Sequence, residues 1–99
     1  MIIYNVTTNV ENDLCSEWLE WMRTDHIPKV MQTGLFIEYR ICKLIHEEEQ
    51  GVTYAIQYTC NSMSEYENYI SNHAPRLRDE VKKKYGDRLV FFRSLLEVL

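Results

Sequence analysis

Glycine, proline and cysteine are scarce in this chain, and each shortage removes a class of explanations. Only three glycines occur among 99 residues. Gly34, Gly51 and Gly86 each stand alone at an expected turn, so no glycine-rich loop exists to cradle a nucleotide phosphate. The two prolines, Pro28 and Pro75, each close a His-x-Pro step rather than forming a linker. Cys15, Cys42 and Cys60 are odd in number and widely spaced, which gives neither a disulfide framework nor a CxxC pair. The expectation is reduced, mostly buried thiols in a cytoplasmic protein.

Positive charge is short as well. The formal net charge is -4, and no basic stripe of the kind that tracks a nucleic-acid backbone is present. The basic run, Lys82-Lys83-Lys84, falls at the end of an expected helix, where cations favour the negative pole of the helix dipole. No apolar run is long enough to cross a bilayer, and residues 1–10 carry no basic leader. Neither nucleic acid nor membrane is therefore an expected partner. Ser-His-Asp order and metalloprotease spacing are missing too.

Aromatic residues are abundant: seven tyrosines, three phenylalanines and two tryptophans. They carry the most informative pattern in the chain. Glu17-Trp18…Trp21…His26-Ile-Pro28 places a glutamate, an aromatic pair at i and i+3, and then His-x-Pro. Glu65-Tyr66…Tyr69…His73-Ala-Pro75 repeats it with one residue fewer before the histidine. Each copy lies between strand-like runs, so the chain reads as two β-α-β halves within a single domain spanning residues 1–99.

Residues 2–10 alternate as a first strand. Asn12 or Asp13 can cap the following helix. Leu14, Trp18, Met22 and His26 form a continuous apolar stripe if that helix is straight, but Pro28 should break it near Thr24–Asp25. A short piece from Pro28 would then end at Gly34. Residues 35–46 form a second strand, Glu47-Glu48-Glu49-Gln50-Gly51 a hairpin loop with His46 exposed beside it, and residues 52–60 a third strand. Ser62-x-x-Glu65 marks a helix start by its capping-box spacing. That helix kinks at Pro75 and stops at Gly86, and residues 89–98 complete the order βαββαβ. The expected class is α+β: a ferredoxin-like, four-stranded antiparallel sheet with two kinked helices on one face.

Alternation then sorts the strands into two faces. The helix-covered face is expected to collect Tyr4, Val6, Tyr39, Ile41, Tyr54, Ile56, Tyr58, Val90, Phe92 and Leu96. The other collects Asn5, Thr7, Glu38, Arg40, Cys42, Ala55, Gln57, Thr59, Phe91, Arg93 and Leu95. Such a mixed, partly apolar face is an association site. The chain is expected to homodimerise through it, with Glu38, Arg40, Gln57 and Arg93 bonded across the seam. The arginines are alternatively clamps for an anionic ligand, since a guanidinium fork matches a carboxylate.

Three segments carry a family resemblance: Met1-Ile-Ile-Tyr-Asn-Val6, Glu17-Trp18-Leu19-x-Trp21-Met22…His26-Ile-Pro28, and Phe92-Arg93-Ser94-Leu95-Leu96-Glu97-Val98. Through them nearly the whole chain resembles a small bacterial family of unknown function within the dimeric α/β-barrel superfamily. The superfamily also contains EthD-like proteins, which share the Trp…His-x-Pro signature, here Trp21, His26 and Pro28. It contains cofactor-free monooxygenases of antibiotic biosynthesis, whose pocket pattern of Asn, Trp and Tyr has no matching positions in this sequence. The resemblance implies that two sheets pair into a dimeric barrel and leaves the activity open.

The expected function is binding of a small organic molecule between helices and sheet. His26 is the first candidate acid/base, with Tyr58 or Tyr54 positioning the substrate. Trp21, Tyr54, His73, Arg40 and Arg93 are candidate ligand contacts. Against catalysis, both histidines can equally serve the carbonyls freed by a proline. The alternatives are a cofactor-free isomerase, cyclase or monooxygenase using His26, and a purely structural module. No cofactor is expected, and no carboxylate or thiol stands at metal-ligand spacing from either helical histidine.

Overall fold

A computed structural model describes residues 1–45 and 50–99. His46 and most of the expected acidic hairpin loop lie outside the described residues. The chain runs β1 (Ile2–Val10), a 3-10 turn (Asn12–Leu14), α1 (Cys15–Trp21), a π-helical turn (Met22–His26), α2 (Ile27–Met31), β2 (Glu38–Lys43), β3 (Val52–Cys60), α3 (Met63–Asn72), α4 (Ala74–Tyr85), a second 3-10 turn (Gly86–Arg88) and β4 (Leu89–Glu97). The strands lie in the order β2-β3-β1-β4, and every neighbouring pair is antiparallel. This is the ferredoxin-like arrangement expected from the sequence.

The duplicated pattern has a simple mechanical meaning. In an α-helix, residues four apart share a face, and Tyr69 stacks on His73 at 6.4 Å and 21°. In the first copy the aromatic and the histidine are five positions apart, which would rotate them apart. The π turn absorbs that extra residue: the Ile27 amide donates to the Met22 carbonyl, five residues back. Trp21 and His26 consequently stack at 5.3 Å and 25°. The helix does not break near Thr24–Asp25 as expected, ahead of Pro28. It widens before it, and that shift accommodates the missing proline N–H. The buried stripe then advances from Leu14, Trp18 and Met22 to Ile27 and Val30.

The helix starts follow the sequence less literally. The first helical segment shows no side-chain cap from Asn12 or Asp13. Arg88 instead holds Glu11 at 3.1 Å and Asp13 at 3.3 Å, tying the start of the helix to the approach to β4. Ser62 does precede α3, but its hydroxyl bonds to the Glu65 carboxylate rather than to backbone. Of the three cysteines, Cys60 alone is buried and Cys42 is exposed, so the expectation of mostly buried thiols fails for the other two.

The core sits between the helices and the β1–β3 centre of the sheet. Trp18, Ile27, Val30, Ile56 and Leu77 are essentially inaccessible. Tyr4, Phe36, Tyr58 and Tyr69 form one aromatic cluster, with Phe36 against Tyr69 edge-on at 4.9 Å and against Tyr58 at 5.3 Å. Lys29 links Asp25 at 3.2 Å to Glu80 at 3.0 Å, joining α2 to α4. All three side chains are about two-fifths exposed, so this bridge contributes little net stability.

β4 corrects the expected faces. Val10 pairs with Leu89, Thr8 with Phe91, Val6 with Arg93 and Tyr4 with Leu95. Directly paired residues point the same way, so Phe91, Arg93 and Leu95 lie on the helix side. Val90, Phe92, Ser94 and Leu96 lie on the open side. Arg93 therefore cannot join Glu38, Arg40 and Gln57 in a seam. The expectation failed because β4 is apolar on both parities, and a one-residue change of phase exchanges every side chain.

Gly51 opens β3 at φ +70°, and a Cβ there would stand 2.7 Å from the Val10 carbonyl oxygen. Left-handed strain and a backbone collision act together at this site. Gly51→Ala is expected to destabilise the fold by at least about 2 kcal/mol, read as a lower urea midpoint at unchanged m-value. An unchanged midpoint would show that the loop relaxes freely.

Candidate functional site

The helices cover β1 and β3 but leave the helix-facing side of β4 largely uncovered. Phe91, Arg93 and Leu95 remain exposed there, although their neighbours Tyr4 and Thr8 on β1 are buried. The gap between α4 and β4 is a cavity of about 570 Å³. Its deep wall is aromatic and apolar, built by Tyr4, Trp18, Met22, Ile56, Tyr58 and Tyr69. The mouth carries charge: Arg78, Asp79 and Lys82 from α4, Asp87, and Arg93 from β4. The size and the pairing of apolar wall with few polar groups are those of a small-molecule site.

Three of the sequence-derived candidates reach this lining: His26, Tyr58 and Arg93. The others do not. Trp21 lies behind His26, between its ring and Tyr85 at 5.6 Å, with Lys84 Nζ 5.6 Å from its ring centre. Tyr54 is buried against Trp18 at 5.0 Å. His73 stacks on Tyr69, outside the lining. Arg40 lies on the open face beside a depression of about 180 Å³ with Glu38, Tyr39, Gln57 and Thr59. Arg78, Tyr4 and Tyr69 are the residues sequence reasoning missed. Arg78 follows Leu77 on the stripe Ala74, Leu77, Val81, a position that borders the covered face.

The chemistry of these groups is set mainly by burial. Burial pulls His26 down to about 4, opposed by the carboxylates of Glu80 and Asp25 and assisted by Lys29. Its imidazole is therefore neutral near pH 7, and Nδ1 is buried with no hydrogen-bond partner among the described residues. Asp25 does not orient it, because that carboxylate pairs with Lys29. Burial, with Tyr69, Tyr4 and Tyr39 nearby, holds the Tyr58 hydroxyl well above its ordinary range. Tyr69 is raised chiefly by burial, then by Tyr4, while Arg78 and Arg93 act in the opposite direction. Both hydroxyls are thus neutral donors at physiological pH, which suits Tyr58 to positioning a ligand rather than to proton abstraction. Among the described residues no three of His, Cys, Asp or Glu are grouped to hold a metal ion.

The depressed His26 value has a consequence for stability. The unfolded chain takes up a proton near pH 6.5, whereas the folded chain resists it until about pH 4. Falling pH therefore favours unfolding across that window, and stability rises as pH increases through it. Between pH 7 and pH 5 the loss attributable to His26 is about 2 kcal/mol. His26→Phe retains a ring for Trp21 to stack on and removes the titration. Urea midpoints at the two pH values should then differ less in the variant than in the wild type. Parallel losses in both proteins would remove His26 as the cause.

Solved structures share this architecture. A dimeric ferredoxin-like protein from an uncultured marine organism superposes with a TM-score of 0.71 at 11% identity, over 99% of this chain and 94% of that one. An ethyl tert-butyl ether D (EthD) family protein from Bacillus halodurans C-125 gives 0.67 at 11% identity, over 100% of both chains. An antibiotic biosynthesis monooxygenase gives 0.67 at 11% identity, over 100% of this chain and 99% of that one. At such identities the likeness establishes the fold and no activity. Among curated proteins none matches the chain in sequence. A family model described as a domain of unknown function, DUF4286, matches residues 1–99.

Proposed function

Taking as premise that the chain belongs to the DUF4286 family of unknown function, we propose that it is a homodimeric binding protein for a small organic molecule. The ligand site is the cavity between α4 and β4. The observation that carries this reading is the cavity's size inside so small a protein. The cleft of about 570 Å³, open on the β4 side, leaves aromatic and apolar wall uncovered that the fold could otherwise have packed. A stable protein of this length tolerates such a gap most readily where a ligand fills it.

His26 enters this reading as a neutral acceptor at the deep end, with Tyr58 as a donor. The alternative of a cofactor-free enzyme rests on the same imidazole, which lines the cavity. A basicity near 4 limits a base role to acidic protons, so binding is the better-supported function.

The dimer is supported by the open face of the sheet. Arg40, Gln57, Asn5 and Ser94 form one polar row across all four strands. Asn5 is 8% exposed and its Oδ1 has no partner among the described residues. Beside the row stand Val90, Phe92 and Leu96, of which Phe92 is 64% exposed. A second copy would satisfy the row and cover the apolar strip. The structurally similar marine protein is described as dimeric.

N-phenyl-1-naphthylamine, a neutral aromatic dye, tests the cavity directly. One site per chain in the micromolar range is expected. Val81→Trp, which fills the lining, should weaken binding at least tenfold and raise stability. Absent binding, or binding that Val81→Trp leaves unchanged, would overturn this reading.

A further inference from the structure

We propose that the cavity takes an organic anion, a molecule with a flat apolar body whose carboxylate is held between Arg78 and Arg93. This rests on the reading of the cavity as a binding site and specifies the class of its ligand. Neither arginine is paired with a carboxylate among the described residues, although five other ion pairs are present. Arg78 donates through Nη2 to the Tyr4 hydroxyl at 3.1 Å, and its Nε is buried without a partner. A guanidinium with no carboxylate partner in a partly buried wall is uncompensated charge, and a ligand carboxylate beside it supplies the opposite charge. The Arg93 guanidinium lies over the Phe91 ring, 4.7 Å from its centre, a cation–π contact that places it on the cavity wall.

Both side chains line the cavity well away from the turn that joins α4 to β4. From Gly86, at the turn, α4 climbs eight residues back to Arg78, about 12 Å at the helical rise. From Leu89, β4 climbs four residues to Arg93, about 13 Å at the strand rise. Tyr4, which Arg78 touches, faces Leu95, two residues beyond Arg93, which faces Val6. Both guanidiniums also act on the Tyr66 and Tyr69 hydroxyls, favouring their ionisation against burial.

Acidic lining residues do not cancel this charge. Asp79 is engaged by Lys83 at 2.9 Å, and Asp87 sits beside Gly86 at the opposite end. The positive end of the cavity is therefore next to its aromatic wall of Tyr4, Tyr58 and Tyr69. A monoanion with an aromatic body matches both features at once. A polyphosphate matches only the first, because its remaining charges would be desolvated against Met22 and Ile56.

Two dyes of one skeleton separate the claims. 1-Anilinonaphthalene-8-sulfonate carries a monoanionic group in place of the carboxylate, and N-phenyl-1-naphthylamine carries none. Fluorescence titration of the intact protein at low salt should show the anionic dye bound at least about tenfold more tightly, the worth of one charge-assisted hydrogen bond. Added salt should narrow the gap. Arg78→Gln and Arg93→Gln should each weaken the anionic dye about tenfold and leave the neutral dye within twofold. Arg93 is exposed and makes no hydrogen bond among the described residues, so Arg93→Gln carries the test if Arg78→Gln disturbs folding.

Equal affinity for the two dyes, or an anion preference that survives both substitutions, overturns the clamp and leaves the cavity reading standing. Failure of both dyes to bind, or binding that ignores Val81→Trp, overturns the cavity reading and the clamp with it.

Discussion

Phe92→Glu is expected to leave a folded monomer, with the dimer dissociation constant raised at least about a hundredfold. Phe92 lies on the open side of β4, paired with Thr7 and 64% exposed. Its substitution removes little from the monomer's own packing. In the proposed dimer it is covered, and two-fold symmetry places the new carboxylate in the interface twice. Burying an unpaired carboxylate costs several kcal/mol even after relaxation, and about 3 kcal/mol already corresponds to a hundredfold change. Sedimentation equilibrium over a micromolar concentration series reads the effect. Phe91→Glu, one residue earlier and on the helix side, should leave the dimer intact. Dissociation by Phe91→Glu with no effect of Phe92→Glu would place the interface on the other face.

Trp18→Ala is expected to remove about 3–5 kcal/mol of folding stability. Trp18 is 1% exposed, packs on Tyr54 at 5.0 Å and forms part of the cavity wall. Truncation extends an existing gap, so the neighbours have little reason to collapse inward. Stability of a domain this size is typically about 5–15 kcal/mol, which makes the loss a large share of the whole. A melting temperature at least about 12 °C lower follows. Trp21→Ala, at a half-buried site against His26 and Tyr85, should cost clearly less. Similar losses from the two substitutions would mean that the π turn, and not Trp18, anchors the first helix.

The fold was legible because its strongest signals are local. Alternation in residues 2–10 and 52–60, a capping-box spacing at Ser62 and Glu65, and turn glycines at 34 and 86 each fix an element without reference to the others. The duplicated aromatic–His-x-Pro pattern located both helix irregularities. What it could not reveal was the form the first one takes. A one-residue difference between the copies is compatible with a break or a π turn, and stacking of Trp21 on His26 favours the turn.

The site was less legible, for reasons that trace to single residues. β4 is apolar at 89, 91 and 95 and equally at 90, 92 and 96. Its phase is set by pairing with β1, and that long-range fact moved Arg93 from the expected seam into the cavity. Arg78 looks like an ordinary surface residue in a helix bearing six other basic or acidic residues. Its role depends on Tyr4, seventy-four positions away. Tyr54 and Trp21 had the right chemistry for a pocket but are used as packing, because aromatic spacing on a helix or strand serves both purposes alike.

Methyl-labelled NMR with N-phenyl-1-naphthylamine shows whether the cavity between α4 and β4 takes the ligand, because methyl groups report one face of a strand at a time. The dye is expected to shift the methyls of Val6, Ile56, Val81 and Leu89 and to spare those of Ile3, Val90 and Leu96. Shifts confined to Ile3, Val90 and Leu96, or none at saturating dye, would contradict binding in the cavity.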